Sequence, residues 1–283
     1  MNIFKNKIQI LLTVVFLAFV GWWLSFQSVV TAQGTSIQWF GGTYGIIALA
    51  GALIGFFAMK KWGGHKTVLG KALLFYALGL LAQELGQLTY QYYVTVAKIQ
   101  IPYPSWGDVG FFGGVLLNIC ATIYLAKAVG VRFSLQRKQY KLIALVVFAA
   151  IIGTSYWVFL HNHQYDWHHP LTVFLDFGYP MGQAIYISLA VTAYLLSRRM
   201  LGGVMRAGIL VIILALVIQY FSDFTFLYQS SRGTWLQGRW NDLSYCVAYF
   251  VMATAMVKFH LIYGSLRKKT DDMKASAKSG VQS

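Results

Sequence analysis

Residues 69–96 read LGKALLFYALGLLAQELGQLTYQYYVTV, and this stretch decides the fold. One lysine, Lys71, stands near its start and one acid, Glu84, lies deep inside it. About 20 apolar residues cross a hydrocarbon core, so a run of this length predicts a transmembrane helix. Its polar residues are not scattered. Glu84, Gln87 and Gln91 recur at i, i+3 and i+7, which is one helix face. The stretch reads as a lipid-embedded helix with a single polar stripe turned inward.

Working outward, seven further runs have the same character. The predicted spans are 8–30, 38–59, 69–96, 107–128, 142–161, 171–197, 207–229 and 241–263. The whole chain agrees: 58% of its 283 residues are hydrophobic and only 11% charged. That composition excludes a soluble globular enzyme, a disordered tail and a disulfide scaffold. Cys120 and Cys246 fall inside apolar runs at different depths, so no disulfide is expected. The expected fold is an all-α polytopic membrane domain over 1–263, followed by a basic tail, 264–283. A cleaved leader ending near Val30 and Ala32 competes for the first run. Its length and Trp22-Trp23 favour a retained helix.

The net charge of +15 does not imply nucleic acid, because the basic residues sit in short runs between apolar spans. Lys5, Lys7, Lys60, Lys61, Lys66, Arg132, Arg137, Lys138, Lys141, Arg198, Arg199, Arg206, Arg267, Lys268 and Lys269 fall on one side. Lys98, Arg232 and Arg239 fall on the other. The positive-inside rule then predicts both termini in the cytoplasm and a plasma (inner) membrane location. The chain has no N-x-S/T acceptor, which fits a prokaryotic source.

The two halves resemble each other. Phe40-Gly41 with Gly45 matches Phe177-Gly178 with Gly182, an offset of 137 residues. Trp106-Gly107-Asp108 matches Trp240-Asn241-Asp242, an offset of 134. These matches predict a duplication, 1–130 and 140–263. Four helices per unit is an even number, so the copies run parallel about an axis along the membrane normal. Glycine pairs such as Gly51/Gly55 would let helices approach closely.

Six of the eight acids, Glu84, Asp108, Asp166, Asp176, Asp223 and Asp242, fall in the outer half of the bundle or in outer loops. A carboxylate inside a span costs about 2.5–3.5 kcal/mol on insertion scales, so these groups are expected to be paired, wet or functional. Asp176, Tyr179 and Gln183 repeat the spacing of the Glu84 stripe, as do Asp242, Tyr245 and Tyr249. Pro180 frees the carbonyl four residues back, that of Asp176. Ser105-x-x-Asp108 is also a capping box, so Asp108 has a purely structural role open to it. The candidate ligand-binding set is Glu84, Asp108, Asp176, Tyr179, Asp223, Asp242, Trp106, Trp240 and Tyr245. Many of the outer rings belong to an interfacial aromatic belt, and others could wall a pocket.

His161, His163, Asp166, His168 and His169 crowd one loop and are weak metal candidates, since no ligand set of recognised spacing completes them. No P-loop, HExxH, CxxC or nucleophile elbow is present. Lys258 lies too near the inner face for a retinal Schiff base.

Pro102-Tyr103-Pro104-Ser105-Trp106-Gly107-Asp108, with Phe111-Phe112 after it, resembles the P-x-P-S-x-A-D pattern of multi-pass sensor regions. These precede diguanylate cyclase, phosphodiesterase or histidine kinase domains in prokaryotes. In that resemblance Asp176, Tyr179 and Pro180 match a D-x-x-Y-P helix. Asp223, Gly233, Trp235, Gly238 and Asp242 match the last pair. Gly107 replaces the usual alanine, Trp235 stands where tyrosine is commoner, and no output domain follows span eight. The resemblance implies a sensory module that binds a small ligand or cation in an acidic–aromatic cavity and signals through a cytoplasmic partner. A small cation- or proton-coupled transporter is the alternative. An intramembrane enzyme acting on lipids ranks below both, because the carboxylates lack an accompanying nucleophile or metal set.

Overall fold

The computed structural model describes residues 6–27, 35–129, 138–161, 167–197 and 204–279. These residues are overwhelmingly helical, with no strand among them. The helices are α1 (Lys7–Gln27), α2 (Thr35–Thr43), α3 (Ile46–Lys61), α4 (Val68–Tyr92), α5 (Gly107–Ala128), α6 (Lys138–Ser155), α7 (Pro170–Leu196), α8 (Arg206–Ser231) and α9 (Trp240–Ser279). π-Helical turns extend α4 through Tyr93–Ala97 and α6 through Tyr156–Leu160. Helix α5 coincides with the fourth expected span.

Three expectations are modified. The second span is present as one stretch, Ser36–Lys61, but a turn over Tyr44 and Gly45 interrupts its helix and divides it into α2 and α3. The last helix does not stop near 263 but continues through Ser279, where Lys, Met and Ala favour helix and Arg267 pairs with Asp271 one turn on at 3.8 Å. Among the described residues, seven helical stretches are long and apolar enough to cross a membrane, and α7 is not one of them. It has the length, 27 residues, but carries Asp176, Gln183, Ser188 and Thr192 on a buried face. A helix walled in by neighbours needs less lipid-facing apolar surface.

The packing explains this. α3 packs on α4, α4 on α5, α5 on α7, α7 on α8, α8 on α9, and α9 back on α3. Six helices thus close a ring. α1 leans on α9 from outside and α6 leans on α7. Both outer helices leave leucines, valines and isoleucines exposed, among them Leu11, Leu17, Leu24, Leu142 and Leu145, as lipid-facing helices must. In a bilayer apolar side chains gain nothing from helix association itself, so close contact has to come from small residues. Gly51 provides it: a Cβ there would lie 2.9 Å from the Ala253 Cβ on α9.

One half of the ring is filled. Leu73, Leu125, Ile209, Ile212, Met256 and Phe259 are completely enclosed there. The other half, toward the segments 98–106 and 232–239, is where the acids and cavities lie; it is termed the upper half below. Cys120 and Cys246 are free thiols.

Candidate functional site

The sequence motif at the start of α5 folds as its spacing demands. The Ser105 amide and hydroxyl both donate to Asp108 Oδ2, at 2.7 and 3.2 Å, and the Gly107 amide donates to Ser105 Oγ at 3.0 Å. This is the capping box. It uses only one carboxylate oxygen. Asp108 Oδ1 faces the ring interior and accepts from the Tyr179 hydroxyl of α7 at 2.8 Å. Capping and interior contact therefore coexist. At the start of α9 the Gly238 amide donates to Asp242 Oδ2 at 2.6 Å. Gly238 has φ +75°, a left-handed conformation that suits glycine, and this aims its N–H at the carboxylate.

Asp223 is held from three helices. Gln183 of α7 donates at 2.5 Å, Gln219 of α8 at 3.0 Å and Tyr245 of α9 at 2.8 Å. Asp176 accepts from the Tyr103 hydroxyl at 2.8 Å, which ties the α4–α5 connection to α7. Tyr103 lies in that connection. Burial, and next the charge of Asp176, push its phenol well above the ordinary value. It therefore remains a donor at neutral pH.

Asp108, Asp223 and Asp242 line one narrow cavity, of about 30 Å³. Its walls carry Tyr44, Tyr90, Phe111, Tyr179, Phe226, Trp235, Tyr245 and Tyr249. Among the described residues no lysine, arginine or histidine lines it. Two flanking hollows share wall residues with it. One contains Asp176, Tyr103 and Thr172; the other contains Trp39, Lys98 and Gln237. Ile101 and Trp235 belong to all three walls and so divide the central cavity from both flanks. Below Tyr249 lies a smaller pocket, of about 20 Å³, lined by Gln83, Asn118 and Gln219.

Of the residues singled out in the sequence, Asp108, Tyr179, Asp223, Asp242 and Tyr245 converge on the central cavity. Asp176 lines the adjacent hollow. Glu84 lies apart from these walls, facing the α2–α3 turn. Trp106 and Trp240 are 78% and 67% exposed and line none of these cavities. Their position next to a helix start points them outward, as interfacial rings. His163 and Asp166 lie outside the described residues. His161 stacks on Trp157 with centroids 5.2 Å apart, and His168 and His169 lie just before α7. Among the described residues no group of three or more His, Cys, Asp or Glu is placed to hold a metal ion.

The sequence stripes did not reveal Tyr44, Phe226, Ile101, Gln237 or Asn241 as wall residues. Asn241 was next to a motif residue, and its amide bridges to the Ser222 carbonyl and Thr225 hydroxyl of α8, at 2.8 and 2.9 Å. Ile101 and Gln237 come from connections, whose course no helical period can predict.

No protein-family model, curated protein or solved structure gives a significant match to this chain.

Chemically, the arrangement is an enclosed set of acceptors without a resident cation. Three carboxyl groups already hold phenol, amide and main-chain donors. What remains for a guest is carboxyl oxygen and aromatic surface, which together favour a cation or a donor-rich ligand.

Proposed function

We propose that the chain is a membrane-embedded sensory module that binds a small cationic or hydrogen-bond-donating ligand in the central cavity and signals through a partner. The observation that carries this reading is the wall of that cavity: three aspartates and eight aromatic rings, with no basic side chain. Its donors come from different helices, so a guest drawing on Asp223 would pull on α7, α8 and α9 together. A signal requires that the ligand bind two packings unequally. The basic ends of α3, α6 and α9 would then report the change to an acidic cytoplasmic surface. The excess of lysine and arginine at those ends supports cytoplasmic termini and a plasma-membrane location.

A small cation- or proton-coupled transporter is the second reading. The pocket containing Gln83, Asn118 and Gln219 favours it, because polar space continues below the cavity. Against it stands the lower half, where Leu73, Ile212, Met256 and Phe259 are enclosed apolar side chains. The sensory reading is therefore preferred.

The test is a titration of the purified chain in nanodiscs with tetramethylammonium and, separately, with primary alkylamines, read by tryptophan fluorescence through Trp235. A saturable change that weakens about tenfold in Asp223→Asn supports the reading. No saturable change with any of these cations, or equal affinity in the variant, counts against it. Sealed liposomes that pass these cations at a rate lost in Glu84→Gln would favour the transporter.

A further inference from the structure

Glu84 occupies the middle of α4 and is 9% exposed. Its Oε2 is buried and has no hydrogen-bond partner. Gly45 makes this position possible, since a Cβ there would lie 2.1 Å from that oxygen. The carboxyl is therefore seated against bare main chain, at the turn that separates α2 from α3. One turn along α4, Gln87 is fully engaged at the same break. Its amide donates to the Gly41 carbonyl and its Oε1 accepts from Tyr44 at 3.0 Å. Glu84 is thus the member of the α4 stripe that meets the broken helix with a charge to place and an oxygen unused.

Among the described residues no cation is placed against it. The titratable groups brought toward this region are Tyr44 from the α2–α3 turn, Asp108 from α5, Asp223 from α8, and Asp242, Cys246 and Tyr249 from α9. All are acids or phenols, and none can neutralise a carboxylate. A buried carboxylate with neither a counter-charge nor a full set of donors is costly enough that it neutralises instead. A metal ion would need several oxygen ligands, and one carboxyl does not make such a set. A proton needs only the one.

We propose that Glu84 is a proton-binding site built into the α2–α3 break. The carboxylate takes a proton from water in the upper half, and the unused oxygen becomes a donor beside the main-chain carbonyls of the turn. In the neutral form the side chain lies flat against Gly45 and α2 stays closed on α4. Release of the proton leaves a bare charge at the break, which favours separation of α2 from the α4 stripe. The site goes beyond the ligand-binding reading and stands without it.

The experiment is infrared difference spectroscopy between acid and alkaline pH on the full chain in nanodiscs, in the carboxyl C=O stretching region. One protonated-carboxyl band is expected to titrate, to shift in heavy water, to be lost in Glu84→Gln, and to remain in Asp108→Asn, Asp223→Asn and Asp242→Asn. Gly45→Ala keeps a right-handed helical φ of −59° but intrudes on Oε2, so that band is expected to move in frequency. A spectrum in which Glu84→Gln removes no titrating band overturns the proposal. So does a band that sodium ion, at constant pH, abolishes in place of the proton, or one that Gly45→Ala leaves unmoved.

Discussion

At the scale of single residues, the acids divide by what their two oxygens do. Asp108 spends one oxygen on its own helix start and offers the other to Tyr179. Asp223 spends both on side chains, Gln183 of α7 and Tyr245 of α9 from across the ring and Gln219 from its own helix. A hydrogen bond between membrane helices contributes about 0.6 kcal/mol on average and up to about 1.7. Tyr245→Phe removes one of three donors to Asp223, so the unfolding free energy is expected to fall by about 0.6–1.7 kcal/mol. Reversible denaturation in mixed micelles measures it, and an unchanged midpoint would mean that the contact contributes nothing. Tyr103 has a pH signature. Its folded-state phenol titrates above its ordinary value of 10.0. The folded state therefore retains a proton that the unfolded state gives up. That contribution is full below about pH 10 and declines as pH rises beyond it. Thermal unfolding between neutral and strongly alkaline pH is expected to show a steeper loss of stability in the parent than in Tyr103→Phe. Parallel curves would contradict it.

At the scale of helices, the sequence disclosed length and face well and neighbours poorly. The period of Glu84, Gln87 and Gln91 placed three groups on one side of α4, and all three meet the α2–α3 region. Gln87 bonds Gly41 and Tyr44, while Gly42 and Gly45 leave room for Gln91 and Glu84. The same period placed Asp242, Tyr245 and Tyr249 on the cavity wall. The break at Tyr44 and Gly45 was not legible, because glycines in a membrane span serve close packing as readily as a turn. Nor was the outward turn of Trp106 and Trp240, because a residue flanking a helix start has no fixed face. Helix contact through small residues gives a direct test. Gly51→Val places a branched side chain where even a Cβ lies 2.9 Å from the Ala253 Cβ. Separation of α3 from α9 is expected to cost about 1–3 kcal/mol. A thermal midpoint equal to the parent's would show that this contact does not close the ring.

At the scale of the molecule, the six ring helices follow one another in chain order, with α9 closing on α3. Ile101 and Trp235, which share the task of dividing the cavities, are 134 residues apart, the same offset as Trp106 and Trp240. The outer helices lie beside this ring, α1 chiefly on α9 and α6 on α7. The orientation proposed from charge is open to labelling. With Cys120 and Cys246 replaced by alanine, a cysteine at Gly64 or Lys269 is expected to react with an impermeant maleimide only after the cytoplasmic face is exposed. A cysteine at Gln100 is expected to react in intact cells. The reverse pattern would invert the protein.

The central claim is that an anionic hollow opens on the side away from the basic ends. Gln237→Cys, in the same cysteine-free background, places a thiol on the wall shared by the central cavity and one flank. Its modification rate from outside can be compared for a cationic and an anionic methanethiosulfonate of similar size. The expected result is a rate at least about tenfold higher for the cation, as focusing of charge in a cleft gives. That ratio should collapse toward unity when Asp108, Asp223 and Asp242 are all changed to asparagine. Equal rates in the unmodified wall, or a thiol that neither reagent reaches from outside, would contradict it.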